Sequence, residues 1–324
     1  MLIGLGVAAW LLARDYSSVD FGELSMGWRT WAGIAAALLF VAGRDFGLTW
    51  RFHTIASPSL NWRQSLRVDL MCAFTSAITP SAVGGSALAV FYLNAEGVKV
   101  GRGAALTLTT LFLDELFFVV FCPVIALTVP FESLFGPPGE RGAFLQGIEI
   151  VFWIVYAGVV VYTALLYMGI LWRPRLVGRG LQWLFSLRGL RRWRAKGESM
   201  ATNMISTSEW IKGCPVRWWA NVLGATVLSW FSRYLIVSAL FWGFVPGCDG
   251  LLVFARQFVV WVVLMVSPTP GSSGISEWMF TEYYGDLIGD ASLALVIALI
   301  WRAITYYLYL FVGVIMASTY FRRK

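Results

Sequence analysis

The chain has 324 residues, 58% of them hydrophobic and only 13% charged, with a mean hydropathy of +0.70. That balance excludes an ordinary soluble domain and indicates a polytopic membrane protein with its charges set between apolar spans. A single histidine, His53, excludes metal sites and phosphatase chemistry that need several, and the four cysteines show no CxxC spacing, so free thiols are expected rather than a disulfide framework.

In chain order, residues 2–12 form a short apolar stretch with no basic leader in front of it. At 11 residues it falls short of the roughly 20 needed to cross the hydrocarbon, so either its neighbours lengthen it or the true start lies upstream. An acidic loop (15–26) follows, then a span over 31–50 that reaches toward Ser57 and carries Arg44 and Asp45. Residues 61–67 are polar and basic. Two short apolar arms, 70–78 and 87–93, flank a Pro-Gly tip, and neither is long enough to cross alone. A span over 104–129 carries Asp114 and Glu115, residues 130–149 read as a loop, and 150–172 is a further span. Residues 173–217 hold ten Lys or Arg, with an amphipathic stretch at 181–190 suited to a membrane interface. The second half repeats the plan: a span over 218–244 with Arg233, an arm over 251–266, a Pro-Gly tip, a returning arm over 275–284, and a last span over 291–317 with Arg302.

The two tips match without a gap. Thr79-Pro80-Ser81-Ala82-Val83-Gly84-Gly85-Ser86-Ala87 lies over Thr269-Pro270-Gly271-Ser272-Ser273-Gly274-Ile275-Ser276-Glu277. Broken apolar segments at corresponding places in two halves mark the binding site of many transporters, and irregular backbone at that depth needs surrounding protein or a cavity. Gly84, Gly85, Gly271 and Gly274 permit tight turns, and the prolines end the descending arms. Each returning helix would then aim its N-terminal N–H groups at the centre, which favours an anion.

Basic residues near span ends set orientation. With 173–217 in the cytoplasm, both termini are expected there too, the acidic segments 15–23, 132–149 and 286–290 face outside, and the two hairpins enter from opposite sides. The prediction is therefore an all-α polytopic membrane protein of the cytoplasmic (inner) membrane, a single integral membrane domain over 1–324. It contains inverted repeats, each span, re-entrant hairpin, span (about 29–129 and 218–318), with extra spanning helices and a basic linking segment (150–217). The tips, Thr79–Gly85 and Thr269–Gly274, are expected to meet near the midplane.

Ionisable side chains at bilayer depth are costly, by at least about 2.5 kcal/mol on insertion scales, so each one needs a reason. Arg44 precedes Thr79 by 35 residues and Arg233 precedes Thr269 by 36; Asp114 follows Thr79 by 35 and Arg302 follows Thr269 by 33. Structural pairing of an arginine with Asp114, Glu115 or Glu277 is one reading. The other is that surplus guanidinium faces a cavity and receives a phosphate through its forked donors. At least one of Arg44, Arg233 and Arg302 is expected within ion-pair reach of those acids, leaving a net positive cavity. Asp45 and Asp69 rank lower, as interface residues.

The Pro268-Thr-Pro-Gly-Ser-Ser-Gly-Ile-Ser-Glu277 stretch resembles the Pro-x-Pro-Gly-Gly-x-Gly-x-x-Glu signature of the lysylphosphatidylglycerol synthase transmembrane-region family, often called flippase-like. The Pro80–Gly85 stretch followed by Asp114-Glu115 resembles its first-half motif, while Ser272 and Ser276 depart from the pattern. The resemblance implies a lipid-moving membrane domain; no soluble lysyl-transferring domain fits in this length, so lysyl transfer is not implied.

The expected substrate is thus an anionic phospholipid or lipid-linked phosphate, bound by Arg44, Thr79, Pro80, Gly84, Gly85, Asp114, Glu115, Arg233, Thr269, Pro270, Gly271, Ser272, Ser273, Gly274, Glu277 and Arg302. No catalytic residue, metal, cofactor or nucleic-acid partner is expected. The alternatives are an intramembrane lipid-modifying enzyme, or a scaffold for a lipid-synthesis partner that the basic segment could hold. A homo-oligomer stays open. Gly271-Ser-Ser-Gly274 fits the short Gly-x-Ser-Gly pattern of rhomboid-type proteases, but the only histidine lies more than 200 residues earlier.

Overall fold

The computed structural model describes residues 27–79, 85, 88–136, 142–176, 179–180, 183 and 194–321. The 2–12 stretch, the acidic 15–26 segment, Pro80, Gly84, most of the 181–190 stretch and the 322–324 tail lie outside the described residues.

The described elements are helical. In order they are α1 (Trp28–Ala56), α2 (Trp62–Ile78), α3 (Ala89–Ala95), α4 (Val100–Thr128), the short α5 (Phe131–Phe135), and α6 (Ala143–Tyr167), which runs on as a π turn over Met168–Trp172. Then come α7 (Arg194–Lys212), α8 (Val216–Phe244), α9 (Gly250–Leu264), α10 (Ile275–Ile288), α11 (Ala291–Arg302), a π turn over Ala303–Tyr307, and α12 (Leu308–Phe321). Five rods are long and apolar enough to cross a membrane: α1, α4, Ala143–Trp172, α8 and Ala291–Met316. At 1.5 Å per residue, a rod of 29 residues reaches about 43 Å, beyond the hydrocarbon thickness of about 30 Å.

Local structure adds to or changes the sequence reading at three places. Residues 62–67, read from sequence only as polar and basic, are the first turns of α2, because Asn61 and Gln64 form a reciprocal capping box (2.9 and 3.0 Å) that starts the helix there. Residues 143–149, expected in a loop, are helical and lengthen α6. The last span is not uniform: directly after Arg302 it loosens into a π turn, a feature that often accompanies a functional site.

Helices α1 and α8 pack antiparallel along their length through small residues. A Cβ on Gly33 would stand 2.7 Å from the Gly243 Cα, one on Gly43 would stand 2.9 Å from the Ser232 hydroxyl, and one on Gly47 would stand 2.9 Å from the Ala225 carbonyl. Gly43 and Gly47 form the Gly-x-x-x-Gly spacing that lets membrane helices bring their backbones together. Gly33→Ala is expected to destabilise by about 1–3 kcal/mol, because its new methyl meets backbone that cannot swing aside. Gly158→Ala on α6, where nothing lies within 4 Å, is the control expected to keep or raise stability. Thermal unfolding in detergent compares the two; equal midpoints would show that the α1–α8 contact is not tight.

Among the described residues the apolar core forms two large clusters and a small third one of Ala77, Tyr306 and Leu310. The largest joins α1, α4, α8, α9, α10 and α11, with Phe117, Phe118, Trp230, Tyr234 and Phe258 interlocked at ring distances of 4.5–6.4 Å. The second gathers Phe52, Ile55, Leu93, Leu106 and Leu113 where α1, α3 and α4 meet.

Candidate functional site: a polar cavity beneath two joined tips

Among the described helices α2 and α3 run antiparallel, as do α9 and α10, and the contacts across each pair show it. In the first half, Arg67 Nη1 on α2 pairs with Glu96 just past α3 (2.6 Å), the Thr75 and Tyr92 hydroxyls share a hydrogen bond, and the Gly85 N–H donates to Ser76 Oγ (3.1 Å). A Cβ on Gly85 would collide with the Cys72 carbonyl and Ser76, so glycine is required there by close approach. In the second half, Arg256 on α9 forks onto Asp286 of α10 (2.5 and 2.7 Å), Gln257 donates to the Tyr284 hydroxyl (2.6 Å), and Ser272 Oγ donates to the Leu264 carbonyl (3.4 Å). Glu96 and Asp286 both stand 17 residues after Thr79 and Thr269 respectively, so each helix pair carries an Arg–carboxylate latch whose acid falls at the same register.

The tips touch. The Gly271 N–H donates to the Thr79 carbonyl (3.0 Å), and a Cβ on Gly271 would meet the Ala77 carbonyl and the Tyr306 ring. The second tip winds through left-handed backbone at Gly271, Ser272 and Gly274 (φ 55°, 56° and 84°), with the Ser272 and Ser273 N–H groups donating to the Thr269 and Pro270 carbonyls. Buried Glu277, 0% exposed, holds it: its carboxylate accepts from the Gly274 N–H (2.7 Å), Ser276 Oγ (2.8 Å) and Arg302 Nε (2.9 Å). Arg302 Nη2 donates to the Gly271 carbonyl (3.0 Å) while its guanidinium rests on the Tyr306 ring at 4.1 Å. The anion at the start of α10 is therefore Glu277 itself, which corrects the expectation of free N-terminal donors awaiting a ligand.

Beside the joined tips lies a cavity of about 180 Å³, with Arg44, Arg51, Asp69, Asp114, Glu115, Arg233, Gly271, Ser272 and Arg302 among its walls. Three of the four arginines are committed. Arg44 pairs with its neighbour Asp45 (2.8 Å) and lies 4.2 Å from the Tyr309 ring centroid, while the Tyr309 hydroxyl donates to the other Asp45 oxygen (2.6 Å). Arg51 forks onto Asp114 (2.5 and 3.1 Å), which also accepts from Trp230 Nε1 (2.9 Å), so α1, α4 and α8 meet at one carboxylate. Arg302 has Glu277.

Arg233 is different. Its guanidinium is sandwiched between the Trp230 and Trp261 rings (4.8 and 4.6 Å), and among the described residues no carboxylate reaches it within 4 Å. Its buried Nε has no hydrogen-bond partner. Facing it in the same cavity, Asp69 Oδ2 and Glu115 Oε2 are also buried and unpartnered.

The expectation of ion-pair reach holds for Arg302 with Glu277. The cavity lining carries four arginines, Arg44, Arg51, Arg233 and Arg302, against three acids, Asp69, Asp114 and Glu115, while Asp45 and Glu277, the partners of Arg44 and Arg302, stand outside it. The surplus that exists is local, at Arg233. Of the other expected site residues, Gly271 and Ser272 line the cavity, whereas Thr79, Gly85, Thr269, Pro270, Ser273 and Gly274 build the tips without lining it. Ser273 Oγ donates to the Pro270 carbonyl (2.9 Å), and His53 bonds the Leu60 carbonyl and stacks on Trp62 (4.6 Å), so neither serine has a histidine beside it. Sequence reading did not single out Arg51, and it ranked Asp69 low.

Long apolar rods around a buried ionic cavity define a multi-pass helical membrane protein with a polar centre. The chain belongs to the Lysylphosphatidylglycerol synthase TM region family, which it matches over residues 1–313. It is similar to a UPF0104 membrane protein of Archaeoglobus fulgidus, 27% identical over 329 residues, covering 98% of this chain and 95% of that relative. No solved structure matches it.

Proposed function

We propose that this protein moves an anionic phospholipid or lipid-linked phosphate across the cytoplasmic membrane, taking the headgroup phosphate into the cavity beside the joined tips. The acyl chains stay in the bilayer, and rocking one half against the other opens the site to each leaflet in turn. Both halves would act as inverted repeats with re-entrant hairpins, and the paired latches and the α1–α8 contact between the first helices of the two halves favour that reading. The observation that carries the proposal is Arg233, a guanidinium in the cavity wall with no anionic partner and an unused buried donor. A desolvated cation of this kind is expensive unless it is matched, and a phosphate matches its fork.

Lysyl transfer has no place in the proposal, nor does a cofactor. Purified protein in liposomes carrying labelled phosphatidylglycerol or phosphatidylethanolamine tests it directly. Label should reach the opposite leaflet faster than in empty vesicles. If no phosphate-bearing lipid moves faster under any imposed ion gradient, transport fails and a scaffold role for a lipid-synthesis partner takes its place.

A further inference from the structure

The charge arrangement of the cavity asks for more than a phosphate. Asp45, Asp114 and Glu277 match Arg44, Arg51 and Arg302. Among the lining groups left unpaired one guanidinium, Arg233, therefore stands with two carboxylates, and a phosphate entering alone would take up Arg233 and leave both acids unmatched in a low-dielectric place. Two acids carry the imbalance. Glu115 is 4% exposed and Asp69 is 3% exposed; one oxygen of each is buried without a hydrogen-bond partner, and both residues line the cavity.

Glu115 is the clearer of the two. Its helix neighbour Asp114 is itself a carboxylate, already matched by Arg51 from α1. Among the described residues no cation stands within 4 Å of Glu115, and the Tyr234 phenol of α8 lines the same cavity. The Tyr234 hydroxyl is buried and unpartnered too, and Tyr234 lines the same cavity as Arg233 and Glu115. Asp69 on α2 faces Arg44, Arg51 and Arg233 at longer range, with none of them in ion-pair contact.

We propose that the cavity contains a cation subsite at Glu115 and the Tyr234 hydroxyl, with Asp69 in support, so that the phosphate at Arg233 is bound together with one positive charge. The carboxylate and the phenol oxygen supply acceptors to that charge, and the phosphate supplies its counter-anion. Two sources fit the same chemistry: an ammonium on the lipid headgroup itself, or a separate monovalent cation such as sodium. This inference rests on the phosphate reading of Arg233, and it assigns to Glu115 a role distinct from the structural pairs around it.

Calorimetric titration of the detergent-purified full chain with two short-chain probes, dihexanoyl phosphatidylethanolamine and dihexanoyl phosphatidylglycerol, separates the cases. Each is measured in sodium buffer and in N-methylglucamine buffer. If the headgroup supplies the charge, the ethanolamine lipid binds about tenfold or more tightly than the glycerol lipid in both buffers. If a free cation supplies it, the glycerol lipid gains about tenfold on adding sodium. In either case Glu115→Gln, which keeps the shape and removes the charge, abolishes the preference, and Asp69→Asn reduces it; helix content and monodispersity confirm both variants are folded. Should the wild type bind both probes equally in both buffers, or Glu115→Gln and Asp69→Asn keep the preference, the cation subsite is wrong while the phosphate reading survives. Should neither probe bind at all, the phosphate reading falls and takes the subsite with it.

Discussion

Arg302→Ala is expected to cost about 3–5 kcal/mol of stability, the loss typical of breaking a buried ion pair from one side. Glu277 is 0% exposed, and the substitution leaves its carboxylate with only the Gly274 N–H and Ser276 hydroxyl as donors. It also releases the Gly271 carbonyl, and with it the support beneath the residue that bonds the first tip at Thr79. Arg302→Lys keeps a charge but cannot reach Glu277 and Gly271 with two nitrogens in a fixed plane, so it should recover only part of the loss. The double variant Arg302→Ala/Glu277→Gln should be more stable than Arg302→Ala alone, since it removes the stranded charge. Thermal unfolding in detergent decides this: a single variant with a wild-type midpoint would mean that the pair does not hold the tip. Arg302 thus serves first as a clamp. Two of its three nitrogens are bound to Glu277 and the Gly271 carbonyl.

What could be read from sequence, and what could not, divides on physical lines. The broken segments were legible because proline and glycine act locally, and a gapless match between two tips needs no knowledge of packing. The cost of burying charge marked Arg44, Arg233 and Arg302 as residues needing an explanation, and each of them lines the cavity. Which arginine found which acid was not legible, because that depends on helix rotation. Arg51 sits near the end of a span in sequence, yet α1 continues to Ala56 and turns Arg51 inward onto Asp114. Asp45 gains its role from Tyr309, 264 residues away, a partner that no local pattern names. The Gly43/Gly47 spacing was a signal available in the sequence and left unread, though it marks one stretch where α1 and α8 approach closely.

Arg233→Gln is expected to act in the opposite sense to Arg302→Ala: transport of a phosphate-bearing lipid slows about tenfold or more, while stability holds or rises. The transport loss follows from removing a charge-assisted, forked contact to phosphate. The stability gain follows because the substitution removes a guanidinium that no carboxylate within 4 Å offsets and a buried Nε that donates to nothing. The contact with Trp230 and Trp261 is lost, a cost of about 0.5–2 kcal/mol that limits the gain. Stability given up for a functional charge is a familiar exchange at binding sites. Arg233→Lys should transport at an intermediate rate, since a point charge meets phosphate with less geometric match than a fork. Paired measurements on the same preparations, unfolding midpoint in detergent and lipid movement in liposomes, test both halves. If Arg233→Gln moves lipid at the wild-type rate, the phosphate is bound elsewhere. If it instead unfolds as readily as Arg302→Ala, Arg233 is a structural cation, and its Trp230–Trp261 sandwich is its purpose.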